Sequence, residues 1–395
     1  MNKTKKSIFF MLSILIAAII FTSSFIGNVK DVFALENIDI DAKAYCLYDV
    51  NTGTMIVEKD SSKHYEVASM VKLMTSLLTI EKIEKGEWTL ENELTVSEYA
   101  ASMEGSQAFL DAGKSYKIED LLKSVIVASA NDSSVVLAEN FAGTENNFVD
   151  IMNKKAKSLG MTETLYANST GLPSATEQHS TARDISILLK EVSKHNLYKK
   201  YCSIWMDKII HHDGRETELV NTNRLIKYYP GCVCGKTGFT DEAGYCLSVL
   251  VEKNGMQLIS VVMGAKSSSD RFSCSANLLN YGFGNFKNTK LVSCDQDILT
   301  GIKMKGTKTE IVCKPENDLY ILDQNGKECN YKTETEIYDL PKKLEKGSII
   351  GKIKITKDDN VVNETNLICQ DDYKTATYGD AIHNIFENWE LKADL

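Results

Sequence analysis

Two hydrophobic periods divide this chain. From Glu66 to Ile83 it reads EVASMVKLMTSLLTIEKI, with Val67, Met70, Val71, Met74, Leu77, Leu78 and Ile80 apolar at helical spacing, which predicts a buried helix. Further helices are predicted over Ile118–Ala128 and from near Asp132 to about Phe141. TENNFVDIMNKKAKSLG predicts another, with Thr144 as N-cap and Gly160 as C-cap. The period-two segments lie on either side. AYCLYDVNTGTMIVEKD reads as two short strands around Asn51-Thr52-Gly53, and AGYCLSVLVEKNGMQLISVVMGAK reads as a hairpin across Asn254-Gly255. DRFSCSANLLNYGFGNF then reads as a closing helix. Strands thus bracket a helical, strand-poor insert. The expected class is α+β, an antiparallel sheet flanked by helices with a helical subdomain.

Beyond Phe286 the texture changes. EIVCKPENDLYILDQNGKECNYKTETEIYDL and GSIIGKIKITKDDNVVNETNLI alternate apolar and polar residues, predicting a small all-β unit over 289–375. The tail, 376–395, puts Ala381, Ile382, Ile385, Phe386 and Trp389 on one face of an amphipathic helix. Its opposite face is acidic, so peripheral membrane contact would rest on apolar contact alone, and docking against the protein is an equal alternative.

The first residues differ from everything else. MNKTKK carries three lysines, an uncharged apolar run follows, and Val32-Phe33-Ala34 fits a cleavage site. Residues 1–34 read as a secretory signal, cleaved or kept as an anchor, so the rest is expected to be exported to the outer face of the cytoplasmic membrane or the cell wall. The chain has 395 residues, more than one core usually holds. Its net charge is −9, and losing residues 1–34 removes four lysines and one aspartate, leaving it more acidic still. Nucleic acid is therefore not an expected partner. The ten cysteines have irregular spacing and several sit in apolar runs, which favours buried thiols over a disulfide framework. No Cys-x-x-Cys occurs and the six histidines lack ligand spacing, so neither metal nor cofactor is expected.

Polar residues inside the first apolar helix raise the chemical question. Ser69 and Lys72 stand one turn apart. A serine hydroxyl needs a base within hydrogen-bond reach, and a lysine serves as one only when its amine is neutral near pH 7. Desolvation and a second cation both push a lysine that way. Two more short stretches accompany the first. Ser129-Ala130-Asn131 lies at a helix junction and Lys236-Thr237-Gly238 on a strand, 60 and then 107 residues further along. The ordered trio is the signature of penicillin-binding proteins and class A β-lactamases.

Together with YEVASMVKLMT, SVIVASANDSSVVLAENFAG, NSTGLPSATEQHSTARDI and GKTGFTDEAGYCLSVL, the trio closely resembles low-molecular-mass serine D-Ala-D-Ala carboxypeptidases from about Ile38 to Phe286. The resemblance implies a β-lactamase/DD-peptidase-like catalytic domain over 35–288. It implies Ser69 as acylated nucleophile, Lys72 as its base and Ser129 as proton relay to the leaving D-alanine. Asn131 would hold the substrate amide, Lys236, Thr237 and Arg271 the terminal carboxylate, and Gly238 would let the substrate backbone lie against the strand. The Ser69 and Phe239 amides would form the oxyanion hole. Peptidoglycan stem peptides are the implied substrates and β-lactams the implied covalent inhibitors. A β-lactamase is the nearest alternative, but its pattern puts asparagine four residues after the deacylating glutamate, whereas Asn168 follows Glu163 by five. A catalytically inactive wall-binding scaffold is the other. His179 reads as a loop residue, and Val71 and Cys234 depart from the family's usual threonine and glycine, with Cys234 placed to make the site thiol-sensitive.

Overall fold

The computed structural model describes residues 38, 40–305, 309–325, 330–375, 379 and 382. The expected signal at 1–34 lies outside the described residues, as does the 376–395 helix apart from Gly379 and Ile382. No described helix is long and apolar enough to cross a membrane.

Strands β1 (Ala44–Asp49) and β2 (Thr54–Lys59) form the first hairpin. Three later strands join them: β3 (Cys232–Thr240), β4 (Gly244–Lys253) and β5 (Met256–Ala265). The order is β2-β1-β5-β4-β3, antiparallel throughout, which leaves β3 at an edge with no described strand beside it. Asn254 and Gly255 both take positive φ, 52° and 78°, as a two-residue turn between right-twisted strands requires.

Each sheet face buries its own cluster. The helix Ser268–Asn285 covers one face, with Leu278 and Leu279 against Leu47, Val249 and Leu258. Helices Lys72–Glu84 and Ala182–Val192 cover the other, where Met74, Leu77, Ile185 and Leu188 meet Cys46, Ile259 and Val261. The remaining predicted helices fold at Ile118–Val127, Asn131–Ala142 and Glu145–Ser158. Thr144 caps the last by accepting from Asn147 N at 3.2 Å, and Gly160 follows its end at φ 81°.

The insert is less strand-poor than its pattern predicts. It contains a short pair, Glu93–Thr95 with Ser115–Lys117, and a hairpin, Met206–Ile210 with Glu216–Val220. In that hairpin Ile209 and Leu219 are buried, but Met206, Ile210 and Val220 face solvent while Asp207 and Thr217 share the inward side, so the apolar-in, polar-out alternation is blurred.

After Phe286 a ribbon of Phe286–Val292 with Leu319–Gln324 leads to a five-stranded antiparallel sheet. That sheet has a separate core built on Ile311, Cys313, Ile353, Ile355 and Leu367. Cys46, Cys202, Cys234 and Cys246 are buried free thiols.

Candidate active site

Ser69 sits in a 3-10 turn, Ala68–Val71, that tightens the entry to the Lys72 helix. The turn is held in a strained shape, with Ala68 at φ 46°. Two glycines make room for it. A Cβ on Gly171, itself at φ 80°, would lie 1.9 Å from Ala68 O, and one on Gly238 would lie 2.6 Å from Val67 O. Gly238 is therefore required by the serine turn, a different need from the substrate clearance expected of it.

Lys72 is wholly buried, while Ser69 is part-exposed. Lys72 Nζ lies 2.9 Å from Ser69 Oγ and donates to Thr170 O at 2.7 Å. Burial pushes the Lys72 amine well below the ordinary lysine range, the nearby Lys236 pushes it further, and the Asp132 carboxylate opposes both. Thr170 presents its carbonyl because Asn168 fixes the turn: Asn168 Oδ1 accepts from Thr170 N at 3.1 Å and Gly171 N at 2.7 Å, and Nδ2 donates to Leu172 O at 2.9 Å. Asn-Ser-Thr-Gly is a turn signal in the sequence, but nothing local marks the Thr170 carbonyl as the partner of Lys72.

The second serine–lysine pair faces the first. Ser129 stands at φ 65° between helices Ile118–Val127 and Asn131–Ala142. Lys236 Nζ, on β3, donates to Ser129 Oγ at 2.8 Å and to Thr237 O at 3.1 Å. Burial brings Lys236 down to about 7, with Cys202 opposing and Arg271 adding to the fall. Thr237 Oγ1 donates to Thr222 Oγ1 at 2.8 Å. Arg271 Nη1 donates to Gly238 O at 3.1 Å, its guanidinium carbon lies 5.5 Å from the Tyr245 ring centroid, and its Nε is buried with no partner among the described residues. Phe239 stacks on Tyr245 at 4.3 Å with its ring half exposed.

Asn131 is held from two sides. Its Nδ2 donates to Glu104 O at 2.6 Å and its backbone N to Ser106 O at 2.7 Å. Its Oδ1 is buried with no described partner, leaving an acceptor for an incoming N–H. All nine predicted site residues thus lie on the Ser69 turn, the Ser129 junction, β3, or the helix that β3 contacts through Arg271.

Other chemical residues stay outside. His179 stacks on His64 at 4.0 Å, and Glu163 meets His64 Nε2 at 2.8 Å, a surface pair away from both serines. No described carboxylate hydrogen-bonds to Ser69 or Lys72. Cys234 is fully buried and its thiol is pushed well up by burial, so the thiol sensitivity expected beside Lys236 has no reactive group behind it. Among the described residues no His, Cys, Asp or Glu cluster is arranged to hold a metal.

Known proteins resemble this chain in sequence and in fold. The family profile described as D-alanyl-D-alanine carboxypeptidase matches residues 31–267, and the one described as penicillin-binding protein 5, C-terminal domain, matches 286–375. The chain is 35% identical over 353 residues to D-alanyl-D-alanine carboxypeptidase DacF of Bacillus subtilis (strain 168), covering 88% of this chain and 90% of that one. It is similar in structure to penicillin binding protein 5 from Haemophilus influenzae, with TM-score 0.73, 28% identity, and 86% of this chain and 100% of the other covered. Penicillin-Binding Protein D2 from Listeria monocytogenes, in its ampicillin-bound form, matches with TM-score 0.54 and 29% identity over 63% of this chain and 100% of the other. With two serine–lysine pairs brought together in a fold these proteins share along most of its length, the chain belongs to the D-alanyl-D-alanine carboxypeptidase family.

Proposed function

We propose that this serine D-Ala-D-Ala carboxypeptidase removes the terminal D-alanine of peptidoglycan stem peptides through an acyl-enzyme on Ser69. The observation that carries the assignment is the buried Lys72 amine 2.9 Å from Ser69 Oγ. Ser69 Oγ attacks the carbonyl carbon of the penultimate D-alanine and its proton passes to neutral Lys72. The oxyanion is held between the Ser69 and Phe239 amides. The C–N bond then breaks, and the leaving amine takes its proton by way of Ser129, whose hydroxyl is fixed by Lys236. Asn131 Oδ1 accepts the substrate amide N–H, and Lys236, Thr237 and Arg271 bind the terminal carboxylate. Water hydrolyses the ester and restores Ser69. β-Lactams acylate the same oxygen, a reading supported by the ampicillin-bound relative.

The catalytic unit is assigned to 35–288 and the β unit to 289–375, supported by their separate cores. The protein is placed outside the cytoplasmic membrane, on the charge and hydropathy of residues 1–34. The Ser69→Ala variant is expected to lose both D-alanine release from a peptide ending in D-Ala-D-Ala and covalent labelling by fluorescent penicillin. Undiminished D-alanine release from that variant overturns the assignment.

A further inference from the structure

Among the described cysteines, all of them free thiols, one pair stands directly opposed in the β unit. Cys313 lies on strand Glu310–Pro315 and Cys369 on the antiparallel strand Asn360–Cys369, and the two are register partners. Opposed residues of neighbouring strands send their side chains to the same face of a sheet. Here that face is the core of the unit, where Cys313 is 0% and Cys369 1% exposed.

The position in the ladder is the close kind. Gln370 N donates to Val312 O at 3.1 Å, so the neighbouring pair, Val312 with Gln370, is the hydrogen-bonded one. Cys369 N turns the other way and donates to Ser348 O at 2.9 Å. Opposed residues that are not hydrogen-bonded to each other bring their Cα atoms to about 4.5 Å. That separation falls within the about 4.4–6.8 Å that a disulfide spans. In the reduced form Cys313 Sγ donates to Ile298 O at 3.5 Å and Cys369 Sγ to Asp371 O at 3.1 Å. Joining the sulfurs gives up these two weak bonds and takes rotation about χ1, with the strands left where they are. Burial pushes the Cys313 thiol up to about 11, with Cys369 adding to the rise, and burial raises Cys369 as well. Thiolates are the attacking species, so exchange is slow in the closed sheet and fast while the strands are still assembling.

We propose that Cys313 and Cys369 are a modification site: they form a cross-strand disulfide that fastens the β unit. Outside the cytoplasmic membrane, where the protein is placed above, such bonds persist. The oxidant is a disulfide of a small thiol. One cysteine attacks a sulfur of that disulfide and releases its first thiol, and the partner cysteine then displaces the second. Two cysteine thiols give up two electrons, the oxidant's disulfide takes them, and the two protons end on the released thiols. The bond closes a loop between positions 56 apart, which contains strands Leu319–Gln324, Tyr331–Ile337 and Ile349–Lys357. Its stabilising effect comes from the restricted unfolded chain.

The test refolds the protein either in mixed oxidised and reduced glutathione or in reduced glutathione alone. Remaining thiols are capped with iodoacetamide and the protein is digested without reductant. Mass spectrometry of the oxidised sample should show the Cys313 and Cys369 peptides linked to each other. Both cysteines alkylated, or either one bonded to a different cysteine, overturns the proposal. Unfolding of peptides from 310–369, followed by pulsed hydrogen exchange, should move to a urea midpoint about 1–2 M higher in the oxidised sample. Cys313→Ala and Cys369→Ala should each abolish that shift. A linked pair with an unmoved midpoint overturns the fastening role. Labelling by fluorescent penicillin should be equal in the two samples, because the β unit has its own core. Labelling absent from both overturns the catalytic assignment and leaves the disulfide standing.

Discussion

Lys72 and Lys236 carry amines where an ammonium group is costly. Both are wholly or almost wholly buried, and both are driven toward the neutral form. One helical turn brings Lys72 to Ser69, whereas Lys236 reaches Ser129 across 107 residues, a pairing legible in the sequence only through the ordered trio of motifs. The consequence for stability has a definite sign. Lys236 sheds its proton at about 7 in the fold, whereas an unfolded lysine keeps it to about 10.5. Between those values the unfolded chain binds more protons, so the contribution of Lys236 makes stability rise with pH, and below about 7 it is flat at its minimum. In Lys236→Met that slope, up to about 1.4 kcal/mol per pH unit, should vanish. Urea unfolding of wild type and variant at pH 7 and pH 9 checks it, and equal gains in both proteins would contradict it. What residue spacing could not reveal is the Thr170 carbonyl on Lys72, a contact between positions 98 residues apart. Nor could it show that Asn131 keeps one acceptor empty, since that depends on the Glu104 loop folding back over it.

Elements were legible where local chemistry and tertiary contact agree. The Asn254-Gly255 turn needs positive φ and has the residues that accept it, and Thr144 caps its helix without help from distant groups. The Met206–Val220 hairpin was not legible, because its outward face mixes Met206, Ile210 and Val220 with lysine and glutamate. Its inward side joins buried Ile209 and Leu219 to polar contacts with the 104–117 loop, Arg215 with Asp111 and His211 with Tyr116, and no strand period encodes those polar contacts. The serine turn is the opposite case: its shape comes from two glycines far off in sequence. Gly171→Ala would bring Cβ onto Ala68 O in a left-handed backbone, so we expect it to cost about 3 kcal/mol from overpacking and strain combined. The loss should appear as a lower urea midpoint together with slower labelling by fluorescent penicillin. Wild-type labelling by a fully folded Gly171→Ala protein would show that this contact does not set the position of Ser69.

At the scale of the molecule, the central sheet separates chemistry from attachment. Gly238, on β3, pairs with Cys246 near the start of β4, while Asp49 on β1 pairs with Leu258, close to the Asn254-Gly255 turn at the other end. The β unit docks at this second end. Phe286 and Leu322 of the connecting ribbon pack into the cluster beneath the Ser268 helix, and Asn288 Nδ2 donates to Asp49 Oδ2 at 2.8 Å. Asp49 is fully buried, with its other oxygen receiving Thr52 N at 2.7 Å and Thr52 Oγ1 at 2.5 Å. Burial raises its carboxyl above the ordinary range, and the Thr52 and Asn288 hydrogen bonds pull it back. Asn288→Ala removes one of those donors and should destabilise the protein by about 1–3 kcal/mol, the cost of a buried acceptor left without a partner. Because the lost bond favours the charged carboxylate, the wild-type-minus-variant difference should be larger at pH 7 than at pH 4. Penicillin labelling below the melting range should stay at the wild-type rate, since the serine turn lies at the opposite end of the same strands. A variant whose labelling slows while its unfolding is unchanged would reverse the assignment, making the ribbon contact part of the catalytic geometry and not of the attachment.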